Sequence, residues 1–140
     1  MLEEGILNLE INCALGYLGH MDEMIIADAG FPLPLGVKVI DISLSENDPT
    51  VTEVFQQIIK YFSIEKLVFA NETKRVNPSH YKKISNLVGK NVDIETIPHT
   101  DLKIRAKNVK VIIRTGDFTA FSNVLIVSGA GDRWYKEKNS

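Results

Sequence analysis

Short, largely apolar runs constrain this chain more than anything else in it: Met24–Ala27, Lys66–Ala70, Val109–Ile113 and Asn123–Val127. Each is too short to cross a membrane or to form a buried helix. Runs of this length between turn residues read as strands covered on both faces. Val37–Ile42 and Val92–Ile97 are weaker strand candidates that alternate apolar with polar positions.

Helical patterns fill the intervals. Asn8 can cap a helix over residues 8–18, in which Ile11, Ala14, Leu15 and Leu18 recur at helical spacing and Gly19 is a stop. Thr50 and Glu53 form a capping-box pattern ahead of one apolar face: Val51, Val54, Phe55, Ile58, Ile59 and Phe62. Asn77-Pro78 supplies a cap and a first-turn proline for a helix carrying Tyr81, Ile84, Leu87 and Val88, ended by Gly89. A short helix is expected near Leu102–Ala106. Asn71–Arg75 and Arg114–Ser122 read as polar loops. Strands alternating with helices predict an α/β fold: a single domain with a mostly parallel sheet and helices on both faces. The domain is placed at residues 1–128, followed by a polar tail at 129–140 that contains Trp134-Tyr135.

The chain's 140 residues, 44% of them hydrophobic, suit one domain with a core. Its 16 basic and 18 acidic residues are interspersed, so no basic stripe exists to neutralise a nucleic-acid backbone. Cys13 is the single cysteine, which forbids an intrachain disulfide and leans towards a reducing compartment. The first residues, Met1-Leu2-Glu3-Glu4-Gly5, are acidic where a signal peptide would be basic. A cytoplasmic protein with no membrane partner is expected.

The segment Leu18–Pro34 holds the chemistry. His20 lies in a turn after a helix end, where the dipole favours a protonated ring. Asp28 directly follows the first strand, and ligands of open α/β sheets sit beyond the carboxyl ends of strands. We take this pair as the centre of a site. A lone turn histidine is often structural, and Asp28 before Ala29-Gly30 could simply form a turn. His99 stands between a strand end and a helix start, which disfavours imidazolium. If it shares a cleft with His20, the two form an acid–base pair. His80 is expected to face solvent, Cys13 to be a small buried residue, and Asp22-Glu23 to be a solvated turn. Gly129-Ala130-Gly131 lacks the full nucleotide-loop fingerprint. His20, Asp22, Asp28 and His99 lack tight ligand spacing, so no metal is expected.

Gly19-His20-Met21-Asp22 followed by Asp28-Ala29-Gly30-Phe31-Pro32-Leu33-Pro34 resembles the D-ribose pyranase and L-fucose mutarotase family. The likeness continues through Ile40-Asp41, Asn77-Pro78, Pro98-His99, Ile113-Arg114-Thr115-Gly116 and Asn123. The Gly30–Pro34 segment and Ile40-Asp41 look closer to the ribose branch. The resemblance implies a cofactor-independent isomerase that interconverts ring forms of a monosaccharide, most simply the β-pyranose and β-furanose forms of ribose. It also implies a ring-shaped homo-oligomer, often a decamer, with sites at subunit interfaces. His20 matches the family's proton donor, and Asp28 and His99 match sugar contacts. The family's Tyr-Ala-Asn contact triplet falls on Phe121, Ser122 and Asn123. Phe121 keeps the ring of the family tyrosine and loses its hydroxyl.

Opening a hemiacetal needs a proton taken from the anomeric hydroxyl and another given to the ring oxygen. Positioned acid–base groups contribute about 10²–10⁴-fold to such a step. Competing readings are a mutarotase for L-fucose or another sugar, a non-catalytic sugar-binding protein, and a metal-dependent lyase or isomerase.

Overall fold

A computed structural model describes residues 1–131 and 133–137. Part of the expected 129–140 tail, at 132 and 138–140, lies outside the described residues. The strands are β1 (Glu23–Ala27), β2 (Lys38–Asp41), β3 (Ile64–Ala70), β4 (Asp93–Ile97), β5 (Val111–Arg114) and β6 (Val124–Ser128). They form one six-stranded sheet in the order β2-β5-β1-β6-β3-β4. The pairs β1–β5, β2–β5 and β3–β4 are parallel. β6 runs antiparallel to β1 and β3 and lies between them. The fold is thus α/β with a mostly parallel sheet, as expected.

Helices cover both faces. Against one face lie α1 (Leu9–Tyr17), α2 (Val51–Ile58) and α4 (Pro78–Asn86), which bury Ile11, Phe55 and Ile84 over Met24, Ile26, Leu67, Phe69, Val111 and Ile113. Against the other lie α5 (His99–Arg105) and a 3₁₀ turn (Ala106–Asn108), which bury Leu102 and Ala106 over Ile25, Ala27, Val68, Ile112 and Leu125. Successive residues of β1 therefore point to opposite cores, which is why its apolar run is continuous rather than alternating. Each fully buried Leu, Ile or Val contributes about 1.5–3 kcal/mol. A polar residue at Ile25 or Ile26 would break one core or the other.

The caps behave as expected at α1 and α2. Asn8 Oδ1 accepts from Ile11 N–H at 2.9 Å. The Thr50–Glu53 box is complete in both directions. Other expectations fail for identifiable reasons. Asn71–Arg75 is not a loop but the start of α3 (Asn71–Val76). Its Thr73 is fully buried and its hydroxyl donates to the Phe121 carbonyl. Tertiary contacts hold this helix, not an amphipathic pattern. Pro78 does open α4, but Asn77 gives no side-chain cap; its amide donates to the Ala120 carbonyl instead. Cys13 is exposed, not buried. Glu23 does not lie in a solvated turn: it begins β1 and takes a forked pair of bonds from Arg105, the shortest 2.7 Å. No helix among the described residues is long and apolar enough to cross a membrane.

Candidate active site at the carboxyl edge of the sheet

The polar groups gather where β1, β2, β3, β4 and β5 end and β6 begins. Asp28 follows β1 and Asn123 precedes β6, so their antiparallel pairing brings them face to face. Asn123 Oδ1 accepts the Asp28 backbone N–H at 2.7 Å, and Asn123 Nδ2 donates to Asp28 Oδ2 at 3.2 Å. The Gly30 N–H donates to Asp28 Oδ1 at 3.0 Å. Burial pushes the Asp28 carboxyl above the usual aspartate range, against the pull of the Gly30 and Asn123 hydrogen bonds, and the nearby Asp117 charge adds to the rise. The group is therefore a carboxylate with enhanced proton affinity.

Phe121 forms a wall beside this pair. Its backbone sits at φ 56°, an uncommon conformation for an aromatic residue. Three side chains hold that stretch from beneath, each taking one of three consecutive carbonyls. Asn77 Nδ2 donates to Ala120 O at 2.5 Å, Thr73 Oγ1 to Phe121 O at 2.5 Å, and His80 Nε2–H to Ser122 O at 2.9 Å. His80 thus faces the protein rather than solvent, which corrects the sequence expectation. Burial lowers its pKa and keeps the ring neutral.

His99 opens α5, with its backbone N–H donating to Glu72 Oε2 at 2.9 Å. Its ring meets Phe121 edge-on at a centroid distance of 5.0 Å and Phe31 at 6.0 Å. Its Nδ1 is buried without a hydrogen-bond partner. Desolvation between these rings, then the Lys103 charge, lowers its pKa. That direction agrees with the expected lean towards a neutral ring, with burial as its first cause instead of a helix dipole.

Asp28, Ala29, Gly30, Arg114, Asp117 and Phe121 line an open cavity of about 520 Å³, within the range of small-molecule sites. Arg114 is fixed across its mouth. It donates to Ala29 O at 2.9 Å through Nη2 and to Asp41 Oδ2 at 2.8 Å through Nη1. Asp117 is buried and accepts from Val51 N–H and Thr119 N–H. Arg114 entered the sequence reading only within the Ile113-Arg114-Thr115-Gly116 likeness, with no role attached, and Asp117 resembles any loop aspartate. Ser122 lies beneath the wall, fully buried, with its hydroxyl unpartnered.

His20 is elsewhere. It precedes β1, whereas Asp28 follows it, and five strand residues at about 3.3 Å each separate the two edges by roughly 16 Å. His20 and Asp28 do not converge within one chain, and His20 and His99 share no cleft there. The carboxylate beside His20 is Glu65, at 3.1 Å. The candidate metal set is split between the two edges, His20 and Asp22 at one and Asp28 and His99 at the other. Among the described residues no group of three or more His, Cys, Asp or Glu is placed to hold a metal ion.

Residues 1–131 match the RbsD / FucU transport protein family. A D-ribose pyranase of Oenococcus oeni is 39% identical over 92% of this chain and 98% of its own. One from Pseudothermotoga lettingae is 36% identical over 99% of both chains. The structure of Bacillus subtilis RbsD complexed with D-ribose superposes with a TM-score of 0.88 at 36% identity, covering 93% of this chain and 98% of that one. The fucose mutarotase of Streptococcus pneumoniae in complex with L-fucose shares the fold, with a TM-score of 0.72 at 18% identity over 93% of this chain and 99% of its own. With that match running from the first strand through the last, the chain belongs to the RbsD / FucU family.

Proposed function

We propose that this protein is a cofactor-independent isomerase that interconverts β-D-ribopyranose and β-D-ribofuranose. One observation carries the reading. Asp28, held by buried Asn123, and Phe121, whose ring meets that of His99, line an open cavity, in a chain 39% identical over 92% of its length to a D-ribose pyranase. Residues 1–128 are the working domain in this reading and 129–140 its polar tail, whose first residue, Gly129, packs back on Glu65. A cytoplasmic location belongs to the same reading, resting on the lone Cys13.

His20 is the proton donor, and it reaches the cavity of a neighbouring copy rather than its own. Two features support this. The separation across β1 forbids an intrachain role. Leu7, Leu9, Tyr17, Met21 and Leu35 are all more than half exposed, an apolar surface suited to a partner subunit. A head-to-tail contact closes into a ring when its rotation closes, and the family resemblance makes a ring-shaped decamer the expected assembly.

In the reaction, the bond from C1 to the ring oxygen breaks as His20 gives that oxygen a proton. The anomeric hydroxyl passes its own proton to Asp28, whose burial favours accepting it. The open-chain aldehyde then recloses through a different hydroxyl, which returns a proton to His20 while Asp28 returns its proton to the new anomeric oxygen. Asn123 keeps Asp28 oriented, His99 holds another hydroxyl, and Phe121 offers the sugar an apolar face. Ser122 contributes through its backbone, as part of the loop that carries Phe121.

Saturation-exchange NMR on ribose tests the activity. His20→Ala and Asp28→Ala should each be inactive, and subunits of the two variants dissociated and mixed should recover exchange at roughly a quarter of the sites, because some interfaces then hold both native residues. No recovery would sink the shared-site arrangement. Phe121 favours a second reading, since the family hydroxyl is missing there. Saturable ribose binding by the wild type with no faster exchange would make this a sugar-binding protein without catalysis. A panel including L-fucose distinguishes other sugars.

A further inference from the structure

The turn bearing His20 is laced to two strand ends. Met21 N–H donates to Ser128 O, Ser128 N–H to Asp22 O, and Gly129 N–H to Ser63 O. This lacing brings the first residues of β3 and the end of β6 beside the imidazole. His20 Nε2 lies 3.1 Å from Glu65 Oε2. The other nearby carboxylate, Asp22, is occupied: it accepts the Gly19 N–H at 2.8 Å and lies 3.6 Å from Lys110 Nζ.

Glu65 fits only because residue 129 has no side chain. A Cβ there would fall 2.1 Å from Glu65 Oε2 and 2.5 Å from Glu65 Cβ. Gly129 does not adopt a left-handed backbone, so the requirement is for space rather than for φ. The pair does little for stability, since the side chains are 63% and 42% exposed and such pairs contribute little. Its consequence is chemical. A carboxylate accepting at Nε2 keeps a hydrogen on that nitrogen in either ring form, so the protonated ring gives its proton from Nδ1 and the neutral ring left behind has the Nδ1 lone pair free to take one back.

We propose that Glu65 is a positioning residue for His20. It holds the Nε2–H tautomer and aims Nδ1, the nitrogen that exchanges protons with the sugar in the neighbouring cavity, and Gly129 supplies the space that admits it. This rests on the reading of His20 as the proton donor.

The test is ribose exchange measured over a range of sugar concentrations. Glu65→Ala should lower kcat roughly 10–100-fold, less than loss of the acid–base group itself. KM should stay within about twofold, because the ground-state contacts are untouched. Glu65→Gln, which keeps an acceptor oxygen, should recover part of the loss. Gly129→Ala should lower kcat as well, because its Cβ would displace the Glu65 carboxylate from its place beside His20. Nitrogen NMR of labelled imidazole should show the Nε2–H tautomer in the wild type and a mixture in Glu65→Ala. Wild-type kcat in Glu65→Ala, a change confined to KM, or an Nδ1–H tautomer in the wild type overturns the proposal, while loss of exchange in His20→Ala leaves the underlying reading standing. Unchanged exchange in His20→Ala removes that reading and the Glu65 role together.

Discussion

Asp28, Asn123 and Asp117 are buried and hydrogen-bonded at the carboxyl edge of the sheet. His20 and Glu65 at the amino edge are exposed and hold each other. The first edge is finished within one chain: its wall is clamped by Asn77, Thr73 and His80, and its cavity is formed. The second presents an exposed imidazole, beside a separate open cavity of about 1000 Å³ bounded by Leu18, Ser63, Ser128 and Gly129. The difference teaches that an edge can be complete as a fold and incomplete as a site. Groups at the buried edge should therefore couple activity to stability, whereas those at the exposed edge should affect activity alone.

The largest effect expected from that contrast is at His20. His20→Ala should cut ribose exchange by about 10²–10⁴-fold, with the thermal midpoint unchanged, as exchange NMR and calorimetry would show. A large fall in midpoint would mean that the exposed edge also supports the fold. Asn123→Ala should do both kinds of damage. It leaves Asp28 short of its partner, so stability should fall by about 1–3 kcal/mol, and ribose affinity should fall with it, measured by denaturant unfolding and titration calorimetry. Thr50→Ala, which removes the capping box of α2 far from the chemistry, should cost about 1 kcal/mol and leave kcat unaltered.

The subtlest effect is pH dependence. Burial lowers the pKa of His80 in the folded state below its ordinary value of 6.5. The unfolded chain therefore binds this proton first as pH falls. The contribution of His80 to stability is present above about 6.5 and is lost as pH drops through its folded value. His99, its ring packed against Phe31 and Phe121, shifts the same way. Asp28 runs opposite: its raised pKa favours the fold at acid pH, and that contribution is lost as pH rises from the ordinary aspartate value through the folded one. Urea unfolding between pH 7 and pH 5 should show falling stability in the wild type and a flatter profile in His80→Gln. An unchanged slope would mean that His80 is not held neutral beneath the Ser122 carbonyl.

Much of the carboxyl edge was legible in advance. Asp28 follows a continuous apolar run, and such a run can hardly be anything but a central strand delivering its next residue to the sheet edge. His99 follows a strand and Asn123 precedes one, which places both at the same edge once the antiparallel course of β6 is known. Asn71–Val76 was not legible as a helix, because the buried hydroxyl of Thr73 and the carboxylate of Glu72 have their partners in distant segments. His80 was misread for the same reason: its partner carbonyl lies in the 120–122 loop.

The strands, the helices capped at Asn8 and Thr50 and the two-sided sheet were written in the sequence alone, because apolar periodicity and capping are local and repeat along the chain. Only the tertiary structure decided that Asp28 meets Asn123, that Glu65 rather than Asp28 attends His20, and that five residues of β1 hold the two chemistries apart. Those outcomes depend on strand order and direction, which pair residues remote in the chain and leave no mark on the segments themselves.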